Sequence, residues 1–406
     1  MTISRSLKHE HLVTSNPIGG RNLNRAVVLN SIRSQQPISR AEIAKITRLS
    51  KSTVSSIVAT LVAEDLVAEY PECNQEVGRN PINLQVKKGT HFIGAISINS
   101  VHTELAVVDI DGTIQSSKKI QTLAQHPSEF INDCMDELNL LKRYYHDQQF
   151  KGLGVSIAGT VNAQQLKVIH APLLQWENVD LGKLIRDHSP HIGMVSIEND
   201  ANASALGELV LGTQRIASAN MMYLLIGDSI GAGIVIDNHI LSGSSHTAGD
   251  FGHVTILEGG ESCSCGNKGC WEAYASDRAT ICRYGKEKQL TPDQLSRVTI
   301  TDIIDCAKNG DGVARAAVTN TAHYIGRGIT ELIRAFDPEV IVIGGSVTRA
   351  WEVVYPHIMA TVSSKTYFGK HRNATILPTS LLGSPPLLGA AALSIRKIFT
   401  DYSVAM

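Results

Sequence analysis

Residues 39–69, SRAEIAKITRLSKSTVSSIVATLVAEDLVAE, combine a helix start signal with two apolar repeats. Ser39 and Glu42, three residues apart, form the capping-box pattern and predict a helix over about 40–47. After a short polar turn, apolar residues recur at helical spacing and predict another helix over about 51–64. Two short helices joined by a tight turn indicate a helix-turn-helix.

A helix predicted over about 22–34 precedes this pair, so the helix over about 51–64 is the third of the unit. Its exposed side carries hydroxyls and one cation but no carboxylate. Such a face can approach phosphates and base edges in the major groove of DNA, where a carboxylate would be repelled. Together with Arg40 at the start of the second helix, the candidate DNA-contacting residues are Lys51, Ser52, Thr53, Ser55 and Ser56. A small helical domain with a polar third helix is the alternative interpretation.

Two strands are predicted after the third helix, over 66–70 and 82–86. Between them lies Gly78-Arg79-Asn80-Pro81, which we interpret as part of a wing, and Arg79 is a candidate contact to phosphate or to the minor groove. Residues 1–90 contain 12 Lys and Arg against 7 Asp and Glu, whereas the remainder contains 25 against 31. A basic N-terminal piece on an acidic body favours a nucleic-acid-binding module.

The chain as a whole has the composition of a globular protein. Its 406 residues are enough for about two or three domains. Hydrophobic residues make up 43% and charged residues 18%, which excludes the disordered and fibrous classes. No run approaches the ~18 apolar residues of a membrane span, and the N-terminus lacks the apolar core of a signal peptide. We therefore expect a cytoplasmic protein with no membrane partner.

From about residue 90 onward, short apolar runs alternate with helical stretches, which predicts an α/β fold. A helix is predicted over 127–146. The predicted strands, of which two form a hairpin, are 91–99, 104–109, 151–158, 194–198, 221–226, 230–236 and 340–343. Spacing alone does not predict how these strands are arranged.

A polar run, Glu198-Asn199-Asp200-Ala201-Asn202, follows a predicted strand directly and opens an alanine-rich helix. Carboxylates and amides at the C-terminal end of a strand stand where open α/β sheets bind ligands. Asn and Asp together supply donors and acceptors suited to the vicinal hydroxyls of a sugar. The alternative is that Asn199 or Asp200 only caps the helix. Trp176, in a predicted loop, either belongs to the core or stacks on a sugar ring.

Three of the seven cysteines fall within eight residues, shortly after a histidine. In a chain expected in the cytoplasm, such clustering indicates a metal before a disulfide. Three thiolates and one imidazole complete a tetrahedral shell with no open position, which predicts a structural Zn²⁺ site. The predicted ligands are His253, Cys263, Cys265 and Cys270. Chance clustering of free thiols is the alternative.

Residues 39–69 resemble the winged helix-turn-helix of ROK-family repressors, the group that includes xylose and N-acetylglucosamine repressors. The rest of the chain resembles the same family over nearly its whole length. The resemblance implies an α/β body of two actin-like, sugar-kinase-type lobes with a ligand cleft between them. Residues 1–88 would form the DNA-binding domain, 89–195 the small lobe together with a C-terminal helix over 385–406, and 196–384 the large lobe with the zinc loop and the sugar site.

The resemblance also implies roles for individual residues. The run at 198–202 matches the family's sugar-binding motif, whose aspartate, here Asp200, serves kinases as the base for the sugar hydroxyl. ROK proteins use this histidine and this Cys-x-Cys-Gly-x-x-Gly-Cys run for zinc, which would leave one ring nitrogen of His253 for a ligand. Of the family's Gly-Cys-x-Glu and Gly-Glu-x-Gly-His motifs, the first is retained with Glu272, and the second carries Asp250 in place of glutamate. The implied sugar-binding residues are Asn199, Asp200, Asp250, His253, Glu272 and Gly159.

Two loops distinguish a kinase from a regulator within this family. A nucleotide-using member would carry an Asp-x-Gly-x-Thr loop in the small lobe and a glycine-rich hairpin in the large lobe, where backbone N–H groups cradle phosphates. Residues 93–103 contain no aspartate to position magnesium, and residues 227–233 carry Asp228, whose charge would repel a phosphate. We therefore expect no enzymatic activity.

The resulting expectation is a sugar-responsive transcriptional repressor of carbohydrate-metabolism genes. Its N-terminal module would bind double-stranded operator DNA, and its body would form a homodimer or tetramer. A small carbohydrate in the interlobe cleft would shift the population of lobe arrangements and thereby modulate operator binding. The alternatives are an ATP-dependent sugar kinase with an appended DNA-binding domain and a sensor that responds to a partner protein.

Overall fold

The computed structural model describes residues 17–71, 82–123, 126–146, 149–213, 220–365 and 374–400. The elements of its N-terminal unit are α1 (Pro17–Gln35), β1 (Ile38–Ser39), α2 (Arg40–Thr47), α3 (Lys51–Ala63), β2 (Val67–Pro71) and β3 (Ile82–Val86). β3 lies between β1 and β2 in an antiparallel sheet. The predicted helix-turn-helix is confirmed, although α1 begins at Pro17 rather than near residue 22. The candidate contact Arg79 lies outside the described residues.

Side-chain caps fix the two helices of the helix-turn-helix. The Ser39 N–H donates to the Glu42 carboxylate at 2.9 Å, and the Glu42 N–H donates to the Ser39 hydroxyl at 3.3 Å, so the predicted capping box is present. α2 ends at Thr47, and the capping residue Arg48 has a left-handed backbone with φ of 59°. The hydroxyl of Ser50 then accepts the Thr53 N–H at 3.1 Å and begins α3. The tight turn between α2 and α3 therefore follows from local chemistry.

The small lobe is built on a five-stranded mixed sheet. Its elements are β4 (Phe92–Ile98), β5 (His102–Asp109), β6 (Ile114–Gln121), α4 (Pro127–Lys142), β7 (Phe150–Ile157), β8 (Thr160–Asn162), β9 (Lys167–Ala171), β10 (Trp176–Val179), α5 (Leu181–His188) and β11 (Met194–Asn199). The sheet order is β11-β7-β4-β5-β6, and β8 to β10 form a separate antiparallel sheet. Trp176 begins β10 instead of lying in a loop. It is 3% exposed and lies edge-on to Phe130, so it belongs to the core.

The large lobe contains a second five-stranded sheet, of order β14-β13-β12-β15-β16. The remaining elements of the chain are α6 (Asp200–Leu211), β12 (Met221–Ile226), β13 (Ile230–Ile236), β14 (His239–Ile240), α7 (Glu272–Ala275), α8 (Asp277–Glu287), α9 (Pro292–Leu295), α10 (Ile300–Lys308), α11 (Gly312–Phe336), β15 (Val340–Gly345), α12 (Trp351–Lys365), β16 (Thr375–Pro378) and α13 (Pro385–Thr400). The predicted β12–β13 hairpin is confirmed. Among the described residues, no helix is both long and apolar enough to cross a bilayer.

The two five-stranded sheets share one plan. In each, the first strand in chain order is central, the second and third add antiparallel on one side, and the fourth and fifth add parallel on the other side. β4 and β12 are the central strands. This repeated plan confirms the predicted α/β body of two lobes, and it puts the C-terminal ends of parallel strands at an edge of each lobe.

Two helices connect the lobes and touch each other. α6 follows β11 of the small-lobe sheet but packs on β12 and β13 of the large lobe. α13 follows β16 of the large-lobe sheet but packs on β4, β7 and β11 of the small lobe. The two helices cross at Gly207 and Gly389, where a Cβ on Gly389 would lie 2.4 Å from the backbone carbon of Ala203. Each lobe is therefore covered by a helix that directly follows, along the chain, a strand of the other lobe.

The N-terminal unit and the small lobe share one hydrophobic core. Buried residues of α1, such as Leu29 and Ile32, belong to the same cluster as Val108 of β5 and Ile395 and Phe399 of α13. Apolar burial of this kind stabilises an interface by roughly 25 cal/mol per Å². The N-terminal unit is thus packed on the body and not merely tethered to it.

Candidate functional site

Asn199 organises the junction between β11 and α6. Its Nδ2 donates to the carbonyl of Gly159 at 3.1 Å, and its Oδ1 accepts the N–H groups of Ala201 at 2.9 Å and Asn202 at 3.1 Å. Asn199 therefore caps α6, as the capping interpretation of the sequence anticipates. It also ties the helix start to the segment that follows β7, so the structure brings Asn199 and Gly159 together.

Two carboxyl groups flank Asn199. Glu198 is buried, and its Oε1 accepts hydrogen bonds from the Asn199 N–H at 2.9 Å and the Asn202 amide at 3.1 Å. Burial raises the pKa of Glu198 above its usual range. Burial likewise raises the pKa of Asp200 to about 6, although its Oδ1 accepts the Ala201 N–H at 2.9 Å. Asp200 thus titrates just below neutral pH, where it can accept or donate a hydrogen bond.

β13 joins this junction to the other predicted site residues. A Cβ on Gly233 would lie 2.5 Å from the carbonyl oxygen of Ala201, so β13 lies directly on the start of α6. At the beginning of β13, the Ile230 N–H donates to Oε2 of Glu272 at 3.1 Å. The other oxygen, Oε1, accepts from the Ser264 hydroxyl at 3.3 Å. Glu272 therefore links β13 to the cysteine-containing loop.

The predicted metal ligands converge. His253 ends a short 3-10 helix, and its Nδ1 lies 3.5 Å from Sγ of Cys263. The Sγ atoms of Cys265 and Cys270 are 3.7 Å apart, and all four ligand atoms lie within 4.8 Å of one another. A tetrahedral ion with bonds of about 2.3 Å to sulfur and about 2.0 Å to nitrogen requires edges of about 3.7 Å and 3.5 Å. The cluster thus fits a metal ion and leaves Nε2 of His253 for another partner.

Asp250 stands at the start of the same 3-10 helix. Its side chain is exposed, and its carbonyl accepts the His253 N–H at 3.4 Å. The six predicted sugar-binding residues therefore form two groups, one at the start of α6 and one on the segments around the cysteine loop. Both groups lie on segments that contact β13.

The predicted DNA-contacting residues lie on the outer side of the helix-turn-helix. The exposed ones are Lys51, Ser52, Ser55 and Ser56, and Thr53 is half-buried. Arg40 is ion-paired with Glu69, so its charge is engaged within the unit. Two further exposed cations, Lys45 on α2 and Arg48 after its last residue, were not among the predicted contacts. The sequence already shows both of them as cations beside the predicted turn.

A nucleotide-using protein of the family that this chain resembles would hold phosphates at two loops. In this chain, side chains of the same two loops make local contacts. Between β4 and β5, Oδ1 of Asn99 accepts the N–H groups of Val101 and His102, each at 2.9 Å. Asp228 is exposed at the tip of the β12–β13 hairpin. Burial raises the pKa of the neighbouring Asp277 to about 7, and the charge of Asp228 adds to this shift.

The body has two α/β lobes with the same sheet plan, it is joined to a helix-turn-helix, and it carries a His–Cys cluster. These features define a protein with a sugar-kinase-type α/β body and an N-terminal helix-turn-helix. The ROK family model matches residues 93–397, and the MarR family model matches residues 20–72. The chain belongs to the ROK family.

Regulators of this family are similar to the chain over nearly its whole length. It is 32% identical to the xylose repressor of Bacillus spizizenii, over 93% of this chain and 96% of that one. A crystal structure of a ROK family transcriptional regulator, a homologue of the E. coli Mlc protein, aligns with 95% of this chain and 98% of its own, with a TM-score of 0.78 and 24% identity. The glucokinase of Streptomyces coelicolor, 29% identical, covers 74% of this chain and 96% of its own length.

The raised pKa of Asp200 makes its contribution to stability depend on pH. The pKa of its carboxyl goes from 3.8 to about 6 on folding, so the folded protein holds this proton more tightly. The contribution is fully present below about pH 4 and is lost as the pH rises through about 6. Relative to wild type, Asp200→Asn should therefore gain about 1–2 kcal/mol in free energy of unfolding between pH 4.5 and 7.5.

Urea denaturation of both proteins at the two pH values measures this difference. The matched control is Asp293→Asn, because Asp293 is an exposed carboxylate on α9. The control should differ from wild type by the same amount at both pH values. An Asp200→Asn difference that does not change with pH would contradict the burial argument.

Proposed function

We propose that the protein is a sugar-responsive transcriptional repressor of carbohydrate-metabolism genes. In this proposal α2 and α3 bind double-stranded operator DNA, and a small carbohydrate binds in the cleft at the start of α6. The observation that carries it is one chain holding both an exposed, carboxylate-free α3 face and the polar junction at Asn199 and Asp200. The xylose repressor, similar over 93% of the chain, supports the same assignment.

The charge around the helix-turn-helix suits DNA. Lys45, Arg48 and Lys51 are exposed cations on α2, the turn and α3. Three acids that follow α3 within the described residues are ion-paired: Glu64 with Arg25, Asp65 with Lys87 and Glu69 with Arg40. Phosphates approaching α3 therefore meet exposed cations and hydroxyls, which position the helix in the groove.

In the proposed sugar site, the two groups of residues have different roles. Asn199 and Gly159 hold the strand ends and the start of α6 together, and Asp200 accepts hydrogen bonds from sugar hydroxyls. From the other group, Nε2 of His253 and the carboxylate of Glu272 complete the recognition of hydroxyl groups. Asp250, exposed and one methylene shorter than the glutamate of the family motif, contacts the sugar through water.

We further propose a structural Zn²⁺ in the cluster of His253, Cys263, Cys265 and Cys270. Four protein ligands close the coordination shell, so the ion supplies stability and orientation and has no open position for a reaction. Holding Nδ1 of His253 fixes the plane of the ring, and holding Cys263 fixes the loop that contacts Glu272. The metal thus keeps one side of the sugar site in place.

An ATP-dependent sugar kinase with an added DNA-binding unit is the second candidate function. The glucokinase similarity favours it. The Asn99 side chain across the β4–β5 turn and the acids Asp228 and Asp277 beside the hairpin argue against nucleotide binding. A coupled ADP-release assay with the sugars named below distinguishes the two, and we expect no sugar-dependent release.

The regulator is proposed to act as a homodimer or tetramer. A two-fold axis would present two α3 helices to half-sites one or more helical turns apart in a pseudo-palindromic operator. A sugar that binds one arrangement of the lobes better than another would change the spacing of the two helices. A partner protein that acts on the same lobes is the alternative effector.

The proposal predicts DNA binding that a sugar reverses. Fluorescence anisotropy is measured on DNA from upstream of the protein's own gene at fixed salt, since phosphate contacts make affinity steeply salt-dependent. The panel is D-xylose, D-glucose and N-acetyl-D-glucosamine, each added singly. We expect tight binding that one of these sugars weakens. Specific DNA binding that no sugar alters would indicate a partner protein as the effector. A lack of specific DNA binding would contradict the proposed repressor function.

Variants in the cleft should separate the two activities. Asp200→Ala and His253→Ala are both expected to be at least about tenfold less sensitive to the sugar, since one lost hydrogen bond to a charged group is worth about 1.5 kcal/mol or more. Asp200→Ala, which leaves the proposed metal ligands intact, is also expected to bind DNA like wild type. His191→Ala, an exposed histidine before β11, is the control. Unchanged sugar response in both cleft variants would show that the site lies elsewhere.

Metal removal tests the zinc proposal. Elemental analysis should find about one zinc per chain, and chelation should lower the melting temperature, because a closed site couples metal binding to folding. Cys270→Ser should lose the metal, whereas Cys282→Ser, an exposed thiol on α8, should keep it. Unaltered melting after verified metal loss would contradict a structural role.

A further inference from the structure

Arg33, near the end of α1, docks the DNA-binding unit on both lobe-connecting helices. Its guanidinium donates to the carbonyl oxygen of Val210 in the last turn of α6. It also lies over the ring of Phe399 in α13, 5.4 Å from the ring centroid. One turn earlier on α1, the amide of Asn30 donates to the carbonyl of Phe399 at 3.2 Å. The end of α1 thus contacts α6 and α13 at once.

The charge of Arg33 has an unusual set of partners. Burial lowers the pKa of the guanidinium, and its Nε is buried without a hydrogen-bond partner. Within the described ranges, no carboxylate lies at ion-pair distance from it. Its counter-charge is the negative C-terminal end of α6, whose last carbonyls have no partner within the helix, together with the face of Phe399. A desolvated cation held in this way is sensitive to small displacements of either helix.

α6 joins this contact to the proposed sugar site. Asn199 and Asp200 stand at its N-terminal end, and Val210 stands in its last turn, about 15 Å from Asp200 along the helix. Near the same end, the Glu208 carboxylate accepts hydrogen bonds from the Thr379 hydroxyl at 2.7 Å and the Ser380 N–H at 3.1 Å, in the segment that leads to α13. A displacement at one end of this short, anchored helix therefore reaches the other end.

We propose that Arg33 is the positioning residue that couples the state of the cleft to the DNA-binding unit. In one arrangement of the lobes, the end of α6 and the ring of Phe399 together hold the guanidinium, and α1 is fixed on the body. A sugar that shifts α6 relative to α13 breaks this joint and releases α1, and with it α2 and α3. This inference rests on the proposed sugar-dependent DNA binding and assigns the residue through which it acts.

The test measures the coupling ratio, which is the DNA dissociation constant with a saturating sugar of the panel divided by that without sugar. Arg33→Met keeps the length of the side chain and removes the charge, whereas Arg33→Lys keeps the charge without the planar guanidinium. Arg186→Met, an exposed arginine on α5, is the matched control. Sugar binding of each variant is measured separately by calorimetry, because a structural defect alone would not leave both binding activities intact.

Wild-type coupling of this type is usually about 5- to 150-fold. We expect Arg33→Met to bind DNA and sugar while its coupling ratio falls at least fivefold, Arg33→Lys to keep an intermediate ratio, and the control to match wild type. A folded Arg33→Met with the wild-type ratio overturns the inference. If Arg33→Met does not fold, Phe399→Leu decides, because it removes the ring face but keeps an apolar side chain: a reduced ratio supports the inference and an unchanged ratio overturns it. A wild-type ratio of one for every sugar would instead be a failure of the proposed function.

Discussion

The close contact of α6 with α13 constrains the geometry of the whole body. Glycines at 207 and 389 let the two backbones meet, and no Cβ fits at position 389, where it would lie 2.4 Å from the backbone of Ala203. Each helix directly follows a strand of one lobe and packs on the sheet of the other lobe. Relative movement of the lobes must therefore displace the two helices at their crossing. The residues at the start of α6, both five-stranded sheets and the N-terminal unit all contact at least one of these two helices.

The proposed function follows from what lies at the two ends of α6. At its start, Asn199 ties the helix to Gly159 and leaves the carboxyl of Asp200, titrating near pH 6, for a ligand. At its end, Val210 meets Arg33 of α1. A regulator needs two sites that favour the same or different global states, and a short helix anchored at both ends provides a physical link between them. In this proposal, a metal in the His–Cys cluster holds the second group of site residues in place beside β13.

Local signals predicted much of this structure. The capping box at Ser39, the turn before Ser50 and the β12–β13 hairpin were predicted because they depend on residues close in sequence. The His–Cys cluster was predicted because the spacing of ligands within one loop limits their geometry.

Long-range pairing could not be predicted in the same way. The repeated sheet plan, the β1 strand at Ile38–Ser39 and the burial of Trp176 depend on segments far apart in the chain. The same holds for charges, since Arg40 faces Glu69 and Arg33 faces a helix end 177 residues away. The pairing of Arg40 with Glu69 and the docking of Arg33 on α6 could not be predicted, because tertiary contacts and not residue type determine what each arginine touches.

In the proposed function, the cleft and the DNA-binding face belong to one thermodynamic system. Isothermal titration of each sugar of the panel into wild-type protein, free and saturated with the upstream DNA, tests it most directly. Linkage predicts that DNA weakens sugar binding by the same factor by which the sugar weakens DNA binding. Equal sugar affinity with and without bound DNA would contradict the account.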